Sequence, residues 1–279
     1  MVERSKNADE ENFPVGSFLI PAPLRKHVAA FYDFARTADD IADSAELSAQ
    51  EKLSRLNELE EVLCGSKSEN GETKCAEKLR ISLTECGVTN AHARDLLKAF
   101  RMDSSETKYE TFDDLVAYCR LSAGSVGRFM LDLHQESPSA YFSSDALCAA
   151  LQINNHLQDC KKDFQNLRRV YLPAVWFEET KTSIDNLNDT KTNENMRALF
   201  DRTVNAIEGL LTESSPLPML IRSRGLRMEV CVIYKLAQRL ANRLKTQDIL
   251  ASFVELKKPD WFFAGFAGMF AGLRRKKIK

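Results

Sequence analysis

The chain is predicted to be all-α. Apolar residues recur at three- and four-residue spacing along most of its length. Strand-like alternation is scarce, and only short polar segments separate the periodic stretches. No boundary resembles an interdomain linker, so the helices are expected to share one domain.

The elements follow in order. Leu24 to Ala45 reads as one long helix, with Pro23 accommodated in its first turn. Ser48 to Leu63 follows, with Leu53, Leu56, Leu59 and Leu63 at core spacing. Gly65 to Gly71 is a loop by composition. Further helices are expected from Ala76 to Cys86, Asn90 to Met102, Phe112 to Leu133 and Ser143 to Phe164. Lys181 to Glu194 is rich in Asn, Asp and Thr and reads as a mobile loop. Met196 to Leu211 and Pro218 to Leu244 complete the periodic set.

Composition narrows the function. The 279 residues are 44% hydrophobic and 28% charged, with a formal net charge of −1, so no global field favours nucleic acid. Seven dispersed cysteines without a CxxC pair suit reduced thiols in the cytoplasm. The polar start, Met1 to Glu10, shows no secretory signal. No GxGxxG or P-loop marks a nucleotide cofactor.

Two aspartate clusters carry most of the functional signal. The first is Arg36-Thr37-Ala38-Asp39-Asp40-Ile41-Ala42-Asp43, and the second runs from Asn155 through Asp159 to Asp163. Asp39 and Asp43 are one turn apart, and Asn155, Asp159 and Asp163 step by four along one stripe. Like charges at this spacing repel by a few tenths of a kcal/mol per pair, and burial costs more. Mg²⁺ turns that repulsion into coordination, since it takes oxygen ligands, often one or two carboxylates with phosphate oxygens. A solvated acidic face is the plain alternative, but the apolar flanks Val28–Tyr32 and Ala149–Ile153 oppose it. Arg36, one turn before Asp39, can neutralise the acids or grip a phosphate. Arg168, Arg169 and Tyr171 follow the second cluster and offer further phosphate contacts, with salt bridges to nearby acids as the alternative. His27 and His156 show no ligand spacing.

Tyr118 to Gly127 places two glycines inside a predicted helix, where each costs about 1 kcal/mol relative to alanine. Close approach of another helix explains them, and so does a reacting group beside Tyr118. At the other end, thirteen uncharged residues, Trp261 to Leu273, precede Arg274-Arg275-Lys276-Lys277. A bilayer span needs about twenty. The segment suits either an interfacial helix on an anionic membrane or a last helix packed on the body.

Together these motifs resemble the squalene/phytoene synthase family. The resemblance runs from about Glu11 to Leu244. It rests on Phe31 to Asp43, Tyr118-Cys119-Arg120 with Gly124 and Gly127, Asn155-x-x-x-Asp159-x-x-x-Asp163, and Arg169-Val170-Tyr171-Leu172-Pro173. Glu11 to Ser17 is most similar to the bacterial hydroxysqualene-forming branch of the hopanoid pathway. The organisation is thus a flexible 1–10, an all-α domain over 11–256 and an aromatic and basic segment over 257–279. The resemblance implies the isoprenoid synthase fold, with helices around a deep central cavity. It also implies about three Mg²⁺ ions bound with a substrate diphosphate. Asp39, Asp40, Asp43, Asn155, Asp159 and Asp163 are then the metal candidates, with Asp40 the least direct. Asn12, Phe13, Arg36, Tyr118, Arg168, Arg169 and Tyr171 are the substrate contacts, Tyr118 lying near the departing diphosphate. The chain departs from the family at Arg120, where an aromatic is common, and at Lys161 and Lys162 inside the second cluster. Asp163 to Tyr171 is one residue longer than in many relatives, which leaves open whether Arg168 or Arg169 meets phosphate.

The implied reaction is Mg²⁺-dependent conversion of presqualene diphosphate to hydroxysqualene. The steps are diphosphate ionisation, cation rearrangement and capture by water, with no nicotinamide. Condensation of two farnesyl diphosphates to presqualene diphosphate, squalene or a carotenoid precursor is the alternative within the family. A non-catalytic, membrane-associated assembly factor is the alternative outside catalysis, though the retained acids favour an enzyme. The expected setting is cytoplasmic and peripheral to the membrane, coupled in function to neighbouring squalene-pathway enzymes.

Overall fold

The computed structural model describes residues 19–105 and 107–273. The described chain is helical, with no strand among these residues. Asn12 and Phe13 lie outside them, as does the basic run after Leu273.

The amino-terminal half holds α1 (Ala22–Asp43), α2 (Ala49–Cys64), α3 (Lys74–Cys86) and α4 (Ala91–Asp103). Pro23 sits in the first turn of α1. A capping box from Ser48 and Glu51 starts α2, and Gly65, at φ 77°, closes it in the left-handed conformation. Leu56, Leu59 and Leu63 bury their side chains against α1, α3 and α4.

The stretch expected as one helix from Phe112 to Leu133 is two, α5 (Phe112–Leu121) and α6 (Ala123–Leu133). Ser122 leaves helical geometry at ψ −96°. Gln152 compensates from a distant part of the chain. Its Oε1 accepts from the Ala123 amide at 3.2 Å, and its Nε2 donates to Ser122 Oγ at 3.0 Å.

The longest helix, α7 (Tyr141–Leu167), outruns its expected bounds at both ends. It buries Ala150, Ile153, Leu157 and Phe164 along one stripe. Asn154 anchors it by donating from Nδ2 to the Ala237 carbonyl at 3.2 Å. A short helix that periodicity misses, α8 (Ala174–Glu179), follows. The polar stretch from Lys181 is pinned rather than loose. It contains a 3-10 turn at Ile184–Asn188 with its own capping box, and Thr192 donates from its amide and hydroxyl to Asp248.

Then come α9 (Glu194–Ser214), α10 (Leu217–Leu220), α11 (Arg224–Thr246) and α12 (Lys258–Leu273). The predicted Pro218–Leu244 helix is therefore interrupted. Buried Glu136 accepts from the Arg222 and Ser223 amides at 2.8 and 2.6 Å, holding the break open.

The core falls into two apolar clusters. One lies among α1 to α4, joined by Phe129 and Leu133 of α6; the other surrounds α7 with α5, α9 and α11. Between them runs an apolar cavity of about 400 Å³, walled by α1, α6, α7, α10 and α11.

Candidate active site

Helix α1 presents its acids at its carboxy-terminal end. Arg36 Nη1 lies 3.1 Å from Asp39 Oδ2, and its Nη2 lies 2.7 Å from Asp40 Oδ1. Asp40 is buried and engaged by Arg36. The Asp39 side chain is 35% exposed. Burial and the Asp43 carboxylate push the Asp39 carboxyl up to about 7, against the pull of Arg36.

The second cluster reaches the first through the segment after α7. Arg168 adopts the left-handed conformation at φ 55° and ends the helix. Its exposed guanidinium lies over the Phe164 ring. Arg169 turns inward instead, with Nη1 2.5 Å from Asp43 Oδ1 and Nη2 2.9 Å from the Ala42 carbonyl. The structure thus brings Arg169, and not Arg168, to the acids of α1.

Asn155, Asp159 and Asp163 lie on the half-buried stripe of α7, opposite its apolar one. His156 shares that side, its Nδ1 3.9 Å from Asp163 Oδ2 and its ring stacked on Tyr171 at 3.6 Å. Lys161 leaves the stripe to donate to the Asp189 and Leu250 carbonyls at 2.8 and 3.2 Å. Lys162 is exposed. Arg120 is exposed too and faces Asp145 at 3.8 Å, so that departure from the family pattern lies on the outer surface.

Tyr118 is buried and donates to Asp103 Oδ2 at 2.9 Å. Tyr171 donates to Asp103 Oδ1 at 2.8 Å. Burial raises the Asp103 carboxyl, while Arg169 and the two hydroxyls pull it down. Tyr109, Tyr118, Tyr171 and His156 form a continuous aromatic group. Asp103 escaped the sequence reading. Its signal is position: it ends α4, where the helix dipole disfavours an anion, so its burial there has to be offset by partners.

Gly127 bears out the close-packing reading of its segment. A Cβ there would meet Cys148 Sγ at 2.6 Å and Ser144 Oγ at 2.8 Å, so the glycine permits close packing of α6 on α7. It also lines the apolar cavity.

That cavity begins at the acidic stripe, with Asn155 in its wall. Val28, Met130, Leu147, Leu151 and Val230 continue it as an apolar recess. Asn155 thus links the acidic stripe of α7 to an apolar recess. Residues 6–259 match the squalene/phytoene synthase family model.

The chain belongs to the squalene/phytoene synthase family.

It is accordingly an isoprenoid synthase. The hydroxysqualene synthase of Rhodopseudomonas palustris is 42% identical over 274 residues, 98% of this chain and 92% of that protein. The hydroxysqualene synthase of Sinorhizobium fredii is 42% identical over 261 residues, covering 93% and 88% of the two chains. Among solved structures, squalene synthase HpnC from Alicyclobacillus acidocaldarius superposes with a TM-score of 0.73 at 26% identity, covering 84% of this chain and 88% of that one. A dehydrosqualene synthase solved with a ligand gives a TM-score of 0.80 at 21% identity over 94% and 92%, a likeness of fold.

The donor set suits a hard cation bound together with phosphate. Asp39, Asp43, Asn155, Asp159 and Asp163 offer oxygen only, and Asp39 and Asp43 repel one another. No three acidic, thiol or imidazole groups converge into a ready-made cage among the described residues. Mg²⁺ needs no such cage, because waters and phosphate oxygens complete its shell.

Proposed function

We propose that the protein converts presqualene diphosphate to hydroxysqualene. The observation that carries this reading is the junction on α7, where Asn155 belongs both to the acidic stripe and to the wall of the apolar cavity. A molecule with a diphosphate head and a branched hydrocarbon tail fits such a junction. Hydroxysqualene synthases at 42% identity over nearly the whole chain support the product.

Asp39, Asp43, Asn155, Asp159 and Asp163 would hold Mg²⁺ with the diphosphate, and Asp40 would serve through Arg36. Bound there, Mg²⁺ supplies Lewis-acid stabilisation of charge on the leaving group. Arg36 and Arg169 add two fixed cations at the same mouth and favour departure of the diphosphate. Tyr118 and Tyr171 fix Asp103 behind them. The apolar wall keeps bulk water from the carbocation while it rearranges, until one water captures it. Water ends the reaction, so no nicotinamide is required.

The outer face of α12 supports attachment to the cytoplasmic side of an anionic membrane. Phe262, Phe263, Phe266, Met269 and Phe270 are exposed there, and the sequence continues into four basic residues. Substrates with long isoprenoid tails partition into that layer, and neighbouring squalene-pathway enzymes would draw on the same pool.

Product analysis by gas chromatography–mass spectrometry tests the reaction. Protein with Mg²⁺ is given presqualene diphosphate or farnesyl diphosphate without NADPH. Hydroxysqualene from the first substrate alone is expected. Presqualene diphosphate made from the second would move the chain to the preceding condensation, and no product from either would favour a non-catalytic role.

A further inference from the structure

The apolar cavity holds a group that the reaction so far leaves unused. Glu229, on α11, is the sole carboxyl among the described residues that line it. Its side chain is 5% exposed, and its Oε2 has no hydrogen-bond partner among the described residues. Burial alone pushes this carboxyl up to about 7. A lone carboxyl in such a wall opposes folding, and an apolar residue of similar size would pack there at lower cost. Other polar groups of the wall are engaged or inert. Gln152 is spent on the break between α5 and α6. Burial pushes the Cys148 thiol up to about 12, which keeps it neutral.

We propose that Glu229 receives the water that ends the reaction and takes its proton as the carbon–oxygen bond forms. The inference rests on the water-capture reading above. A lone pair of the water oxygen forms the bond to the cationic carbon. One O–H bond of that water breaks, and its proton passes to the Glu229 carboxylate, which becomes a neutral acid. The positive charge on carbon and the negative charge on Glu229 disappear together, so no oxidant or reductant enters. A base whose proton affinity lies near neutrality is suited to accept this proton and to lose it again before the next turnover. While ionised, Glu229 also marks where in an otherwise apolar wall the cation is best stabilised.

The test measures how consumed presqualene diphosphate divides among its products. Wild type, Glu229→Gln and Glu229→Met are compared with Mg²⁺ in ¹⁸O-labelled water. Hydroxysqualene per substrate consumed is expected to fall about 100-fold in both variants, the lower end of general-base effects. Hydrocarbons formed by proton loss should take its place, and Glu229→Asp should restore part of the alcohol. Glu229→Met replaces the unpaired acid with an apolar chain, so it guards against a fold defect, and thermal unfolding checks both variants. A purely structural role would lower turnover without moving the product ratio. A wild-type ratio in Glu229→Gln and Glu229→Met overturns the assignment and leaves the reaction standing. If wild type itself forms no hydroxysqualene, the reaction and the assignment fall together.

Discussion

At the residue scale, Asp39 and Glu229 are both held near neutrality, for different reasons. Asp39 is raised by burial and by Asp43, with Arg36 pulling against them. Glu229 is raised by burial with nothing opposing it. Folded Glu229 keeps its proton up to about 7, whereas an ordinary glutamate releases it near 4.5. The folded state therefore binds more protons between those values, and this group's contribution to stability falls as pH rises through that window, by up to about 3 kcal/mol. Urea unfolding of the metal-free protein from pH 4.5 to 8 should show that part of the slope in wild type and not in Glu229→Gln. Equal slopes would mean that the carboxyl finds a partner. Asp39→Ala and Asp159→Ala are each expected to abolish Mg²⁺-dependent turnover in a protein that stays folded, read by product yield beside circular dichroism. Near-normal turnover in either would remove the diphosphate clamp. The acid clusters and Arg36 stood out in the sequence because they recur at helical spacing. Asp103 and Glu229 were not, because each is a single acid whose meaning comes from what the fold packs around it. The choice between Arg168 and Arg169 turned on one left-handed residue, which periodicity does not report.

At the scale of elements, the helices were legible from apolar spacing, and the breaks were not. Ser122 and Ser223 interrupt periodic stretches because Gln152 and Glu136, distant in sequence, satisfy the backbone groups set free. Local pattern carries no trace of such partners. The same limit hid the order of the Lys181 stretch, which is fastened by Asp248. Helix α12 packs on the body, one of the two expectations made for it. Its Gly268 lies on α11, where an added Cβ would stand 2.5 Å from Val232 Cγ2 and 2.9 Å from the Met228 carbonyl. Gly268→Leu should therefore force α12 from α11, with a cost of about 1–3 kcal/mol. Faster amide exchange over residues 258–273 would report it. Unchanged exchange there would mean that the contact accommodates the larger side chain.

At the scale of the whole molecule, the two apolar clusters leave a cavity between them, and this is the feature the sequence conceals best. Its lining, Val28, Leu147 and Val230 among others, is chemically the same as core. The outer wall of the cavity, α11, is also the bed on which α12 lies. The exposed aromatic face is thus one helix away from the recess. Among the described residues no helix is long and apolar enough to cross a membrane, so attachment would be by surface contact. Deleting residues 261–279 should weaken co-sedimentation with anionic vesicles about tenfold or more and lower activity in detergent by less. Unchanged co-sedimentation would count against a membrane role for this segment.

The ion pairs at the mouth have a consequence for how an anion enters. Arg36 is held by Asp39 and Asp40, and Arg169 by Asp43. An arriving diphosphate meets no bare guanidinium that must first shed water. On the proposed reaction it would trade places with carboxylates, which would then be free to receive the cations travelling with it. Arrival and release are then a swap of counter-ions around two stationary positive charges. Such a swap would leave no guanidinium bare before the substrate arrives or after the inorganic product leaves.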